Sequence, residues 1–103
     1  MTDYNPDNFT LDNYVNVVKK LLSKHIDVED DLLDLYALLV LTTGVNTTWE
    51  NVHDAWAIWR NRTKPDHKSL VPFENLTPDV QELDDEYTKA IQAVAKEIGA
   101  KND

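Results

Sequence analysis

The sequence predicts an all-α fold: a compact bundle of about four helices with one irregular loop that contains a short extended segment. Three observations carry this expectation. Apolar residues recur at helical spacing in four separate stretches. Each stretch is bounded by residues that start or stop helices. The chain has 103 residues, 42% of them hydrophobic, enough for one core of ordinary size. Residues 1–103 are therefore expected to form a single domain, with a helical pair over 1–46 and a second unit over 47–99.

The first helix follows a polar lead-in. Leu11, Tyr14, Val15, Val18, Leu21 and Leu22 share one face, and Thr10 is placed to cap its N-terminus. Asp27 can cap the second helix, where Glu29, Asp30 and Asp31 suit the positive end of the dipole and Gly44 can close the far end in a left-handed conformation. Its apolar run from Leu32 to Leu41 is nearly continuous, which marks a central helix with partners on more than one side. Thr47 and Glu50 have capping-box spacing, so a third helix starts there, with Trp49, Val52, His53, Trp56 and Arg60 along one face. Lys64 precedes Pro65 and is biased out of the helical region, which ends this helix near Arg62 or Thr63. A loop with the extended piece Ser69 to Phe73 runs on to Asn75. Thr77 and Pro78 then fit an N-cap and a first helical position. Val80, Leu83, Tyr87, Ile91, Val94 and Ile98 define one long amphipathic helix, stopped by Gly99.

The net charge of -9 limits the partners. Wrapping a nucleic-acid backbone draws its affinity from phosphate neutralisation, so no nucleic acid is expected. No apolar run approaches the roughly 18–20 residues of a bilayer span, and MTDYNPDNFT has neither the basic nor the apolar region of a signal peptide. The expectation is a soluble, cytoplasmic protein with no membrane partner. Cysteine is absent, which removes disulfides, thiolate metal sites and thiol chemistry. No cofactor is expected.

One stretch departs from the acidic background. HDAWAIWRNRTKPDHKSLVPFENL, His53 to Leu76, holds two of the three tryptophans, two histidines and four of the ten basic residues. From Arg60 to Lys68 four basic residues face one acidic, a local +3 that leaves -12 for the rest of the chain. Trp59, Arg60, Arg62, Lys64, His67 and Lys68 form the candidate ligand-binding patch. Arginine forks beside an aromatic face can capture a phosphate or another small anion, a nucleotide-type ligand included. The same residues can instead complement the dipole at the end of the third helix, or pair with the acidic run that ends at Asp84, Asp85 and Glu86. Spacing leaves both readings open. Trp49 and Trp56 are expected in the core, because aromatic side chains at helical spacing bury large apolar areas, and Trp59 is expected to be partly exposed.

No catalytic set can be assembled, so no enzyme is expected. His53 and Asp54 are neighbours and point about 100° apart on a helix. No serine or cysteine stands with a histidine and an orienting acid. His53 and His67 lack the His-x3-His or Glu-x2-His spacing of a helical metal site, so no metal is expected. His53 fits a structural histidine tied to the loop that follows. Besides ligand binding, contact with another protein or with a second copy remains open, as for a small phage or prophage accessory protein. The apolar second helix suggests it, since a chain of this size need not cover every face. Asp27 to Asp34 holds five acidic residues in eight positions, so imitation of DNA charge is a lesser third reading.

Residues 51–99 also carry motifs in a definite order. His53, Asp54, Ala55 and Trp56 come first, then His67 ahead of Leu70, Val71, Pro72 and Phe73, then Leu76 before a Thr-Pro-capped, acidic helix start that includes Asp84. In this order the segment resembles the ryanodine-receptor-type repeat (Ryr domain), a small helical module also found in bacterial and bacteriophage proteins. The resemblance covers about half of the chain. It implies a helical corner framed by His53, Trp56, Val71, Pro72, Phe73 and Leu76, and a non-catalytic binding and assembly role toward nucleotide-derived ligands. A phage-encoded chain would act in the host cytoplasm. Where the family carries a Gly-Trp-x-x-Gly stretch, this chain has Arg60 to Asp66, without glycine.

Overall fold

A computed structural model describes residues 13–102, which form five α-helices and two 3-10 turns. Thr10 and Leu11, expected at the start of the first helix, lie outside the described residues. The first described helix, α1, spans Tyr14–Leu22. Asn13 caps it, its side chain accepting from the Asn16 N–H at 2.9 Å. Val18, Leu21 and Leu22 are buried, whereas Tyr14 and Val15 of the same expected face are exposed. Lys19 reaches from α1 to Asp30 at 3.1 Å and Asp34 at 2.7 Å, which fastens the two helices that meet there.

The second helix, α2, spans Asp30–Thr42 with Glu29 at its N-cap, two residues later than a cap at Asp27 would place it. Ile26 is buried, so the chain is still returning to the core at that point. Helical bonding begins at the Glu29 carbonyl, which accepts from Leu32 and Leu33 at 3.0 and 2.9 Å. Leu32, Leu33, Tyr36, Ala37 and Val40 are buried, and α2 packs against α1, the third helix and the last. Gly44 follows at φ +55°, the left-handed closure its position predicts, and opens the 3-10 turn Gly44–Asn46.

The third helix, α3, spans Trp49–Asn61, and its capping box lies one residue later than expected. Thr47 is buried, with its hydroxyl already donating to the Gly44 carbonyl at 2.7 Å. The box therefore falls to Thr48 and Asn51, which exchange backbone-to-side-chain bonds at 2.9 and 3.2 Å. Arg62 is the C-cap, in keeping with the bias before Pro65.

Ser69 to Phe73 forms no strand. Pro72 is locally extended at ψ 147° and leads into the 3-10 turn Phe73–Asn75. The expected long final helix is two helices, α4 at Pro78–Glu82 and α5 at Asp85–Asn102. Between them the Leu83 and Asp84 N–H groups donate to Val80 and Gln81 three residues back, at 3.1 and 3.2 Å, which tightens the backbone and turns it. Leu83, expected on the buried face, is 67% exposed as a result. Gly99 does not stop α5. It has no positive φ, and a Cβ there would meet nothing within 4 Å, so no neighbour forces the chain out of the helix.

The fold is all-α. Its core joins Val18 and Leu22 of α1, Tyr36 of α2, Val52 of α3, and Ile91 and Val94 of α5. Among the described residues, no helix is long and apolar enough to cross a membrane.

Candidate functional site

The C-terminal end of α3 lies against the N-terminal end of α2, and the basic residues of the corner meet acidic ones there. The Trp59 indole N–H donates to the Glu29 carboxylate at 3.2 Å. Arg60 covers the Trp59 ring with its guanidinium carbon 4.4 Å from the centroid, a cation–π contact. Arg62 pairs with Asp31 at 3.5 Å, and Lys64 with Asp66 at 3.8 Å. The acidic complement is thus the start of α2 rather than Asp84 to Glu86. Lys68 is exposed and has no ion pair among the described residues. Of the six residues in the sequence-derived patch, His67 alone lines the cleft beside this corner.

That cleft, of about 450 Å³, opens between α2, α3, the loop after residue 66, α4 and the start of α5. Trp56 stands at its wall between two histidines, stacked on His53 at 5.7 Å between centroids and edge-on to His67 at 5.1 Å. Phe73 closes on the far side of His53 at 6.2 Å. His53 Nε2 is 2.7 Å from the Val71 carbonyl oxygen; a carbonyl only accepts, so this nitrogen carries a proton. His67 Nδ1 accepts from the Ser69 N–H at 3.0 Å, so this nitrogen carries no proton. Tyr36 and Tyr87 add a second aromatic pair at 5.6 Å. Trp49 and Trp56, expected as core, are only half-buried, as is Trp59.

The turn at residues 83 and 84 is held on both sides. Gln81 Nε2 donates to the Phe73 carbonyl at 3.0 Å, tying α4 to the loop, and the Trp49 indole N–H donates to Asp85 at 3.0 Å, tying α5 to α3. Asp84 is thereby brought to the cleft wall. Burial pushes its carboxyl up to about 6, and the nearby His53 offsets only part of that. No hydrogen bond or ion pair holds the Asp84 side chain among the described residues. Burial also raises the Tyr36 and Tyr87 phenols, with Glu86 and Asp84 adding to the effect at Tyr87. Among the described residues, no lysine or arginine lines the cleft. Among the described residues, no group of three or more potential ligands is placed to hold a metal ion.

A family model matches residues 10–96, and its description is a domain of unknown function, DUF7701. The chain belongs to that family. No curated protein and no solved structure matches it. The DUF7701 match overturns the resemblance to a ryanodine-receptor-type repeat, and nothing else indicates a Ryr domain. The motifs behind that resemblance occupy only residues 51–99, whereas the DUF7701 span takes in α1 and α2 as well. They also have a local cause. His53, Trp56, Val71 and Phe73 meet because a histidine one turn before a tryptophan can bond the loop that covers it, and Pro72 sets that loop's exit. Such a corner does not specify a family.

Tyr36, Asp84 and Tyr87 are cleft residues of this DUF7701 chain that spacing alone does not single out. The one signal in the sequence is the acidic cluster around Asp84, and it does not show which carboxylate turns inward.

Proposed function

We propose that this DUF7701 chain is a non-enzymatic binding module of the cytoplasm whose ligand enters the cleft between α3 and the α4–α5 turn. One observation carries the reading: Trp56, His67, Tyr87 and an unpartnered Asp84 converge on one concavity, while Arg60, Arg62 and Lys64 are engaged elsewhere. A mostly apolar pocket with a few oriented polar groups is the usual form of a small-ligand site. Binding is favoured over catalysis because Ser69 meets His67 through its backbone N–H, so no activated nucleophile stands in the cleft. A base-like ring of a nucleotide-type ligand fits these walls better than its phosphates do, since cations are lacking.

The test is a titration of the full chain with small planar heterocycles, followed by amide and indole NMR. The expected result is saturable shifts at the Trp56 indole, Ser69 and Tyr87. Shifts confined to residues 60–64 and Lys68, or no shifts with any compound, would overturn the reading.

A second reading, self-association, rests on the outer face of α2. Leu38 and Leu41 are about half exposed there at helical spacing, as is Val45 in the 3-10 turn that follows. Sedimentation would then show a dimer that Leu38→Glu dissociates. A monomer at millimolar concentration removes this reading.

A further inference from the structure

We infer that the cleft seats an organic cation, an alkylammonium group that packs against the rings of Trp56 and Tyr87 and is neutralised by Asp84. This rests on the proposed cleft reading and adds the charge and chemical class of the ligand.

The charges lining the cleft point one way. Asp84 and Glu86 both line it and, among the described residues, no lysine or arginine does; of its two histidines, His53 directs its Nε2–H to the Val71 carbonyl and offsets Asp84 only in part, and His67 Nδ1 is occupied as an acceptor. Asp84 is the unusual member. It is half-buried, and among the described residues it has neither a hydrogen bond nor an ion pair, although a desolvated carboxylate ordinarily has one. Partial burial raises its carboxyl, and the nearby His53 offsets only part of that. A cation beside it would supply the missing partner; an anion would worsen the repulsion.

The aromatic walls supply the second half of the argument. The half-buried Trp56 and Tyr87 rings line the cavity, and the fully buried Tyr36 backs Tyr87 at 5.6 Å between centroids. Electron-rich faces around an acidic group attract weakly hydrated ammonium ions through their quadrupoles, in addition to apolar contact with the alkyl substituents. A bare metal ion needs clustered oxygen or nitrogen donors instead, and among the described residues no such cluster is present. The cleft, at about 450 Å³, holds an ammonium head with part of its chain.

The experiment titrates the full chain with choline and with its uncharged carbon isostere dimethylbutanol, reading the Trp56 indole and Tyr87 resonances. Choline is expected to bind about tenfold more tightly than the isostere. Asp84→Asn is expected to remove that preference and leave isostere binding unchanged; Glu86→Gln, on the exposed edge, is expected to reduce it less. Equal binding of both probes in the cleft overturns the inference about charge and leaves the cleft reading standing. Failure of both probes to shift any cleft resonance overturns the inference as well, and the heterocycle titration then decides the cleft reading separately. Should Asp84→Asn not fold, equal binding of choline and the isostere to the native chain is by itself sufficient to reject the proposal.

Discussion

The Nε2 of His53 stands 2.7 Å from the carbonyl oxygen of Val71, and this bond ties the middle of α3 to the loop eighteen residues further along. The imidazole is buried, stacked on Trp56, and reaches the loop by one nitrogen only. His53→Phe keeps most of the ring volume and loses the N–H, so it is expected to cost about 1 kcal/mol. His53→Ala also leaves a cavity and is expected to cost about 3 kcal/mol. Urea denaturation of the two variants measures both. Equal losses would show that the bond to Val71 contributes nothing separable from packing.

Asp84 gives a pH signature of definite sign. Its folded carboxyl is raised from 3.8 to about 6, so as pH falls the folded chain takes up this proton before the unfolded chain does. The cost of burying the charge is therefore absent below about pH 4 and fully present above about pH 6. Asp84→Asn is expected to stabilise the fold at pH 8 by on the order of 1 kcal/mol, read as a higher Tm, once solvent screening of a half-exposed group is allowed for. At about pH 3.5 the two proteins are expected to melt together. A gap of the same size at both pH values contradicts the assignment.

Arg60 and Arg62 differ in what they touch. Arg62 forms a solvent-exposed pair with Asp31, so Arg62→Ala is expected to change stability by less than about 0.5 kcal/mol. Arg60 lies over Trp59 and packs its stem there; Arg60→Ala is expected to cost about 1 kcal/mol. Chemical denaturation in low and high salt separates them, because only the Arg62 pair is fully open to screening.

The two glycines respond to one substitution with opposite signs. Gly44 sits at φ +55°, so Gly44→Ala is expected to destabilise by about 1 kcal/mol even though the added Cβ meets Ala95 at an ordinary 3.7 Å. Gly99 is helical with open space around it, and Gly99→Ala is expected to stabilise by up to about 0.5 kcal/mol, reduced by its place near the helix end. Thermal melts of the two variants check both directions.

Periodicity and punctuation made the helices legible. Gly44, Pro65 and the Thr77–Pro78 pair each act through their own backbone chemistry, so the closure of α2, the end of α3 and the start of α4 could be placed without tertiary information. The break at Leu83 and Asp84 could not. It contains neither glycine nor proline, Leu83 stays close to helical geometry, and the turn is held by the distant anchors Gln81 to Phe73 and Trp49 to Asp85. The capping box slipped by one residue for a related reason: a buried Thr47 was needed by Gly44 and Thr43, which spacing does not reveal. The cleft inherits these difficulties. His53, His67 and Trp56 were visible as a corner, but Tyr36 and Tyr87 come from helices whose aromatic positions look like ordinary core.

The antiparallel meeting of α2 and α3 also shapes what a solute feels before contact. Arg62 and Lys64 stand beside their own acids, so from more than a Debye length, about 8–10 Å at physiological salt, the basic corner blends into its surroundings. An approaching ion meets a field of nearly one sign, set by the net charge of -9. Diffusional capture of a positive solute is thereby accelerated and that of a negative one slowed, and both rates converge toward the neutral limit as ionic strength rises.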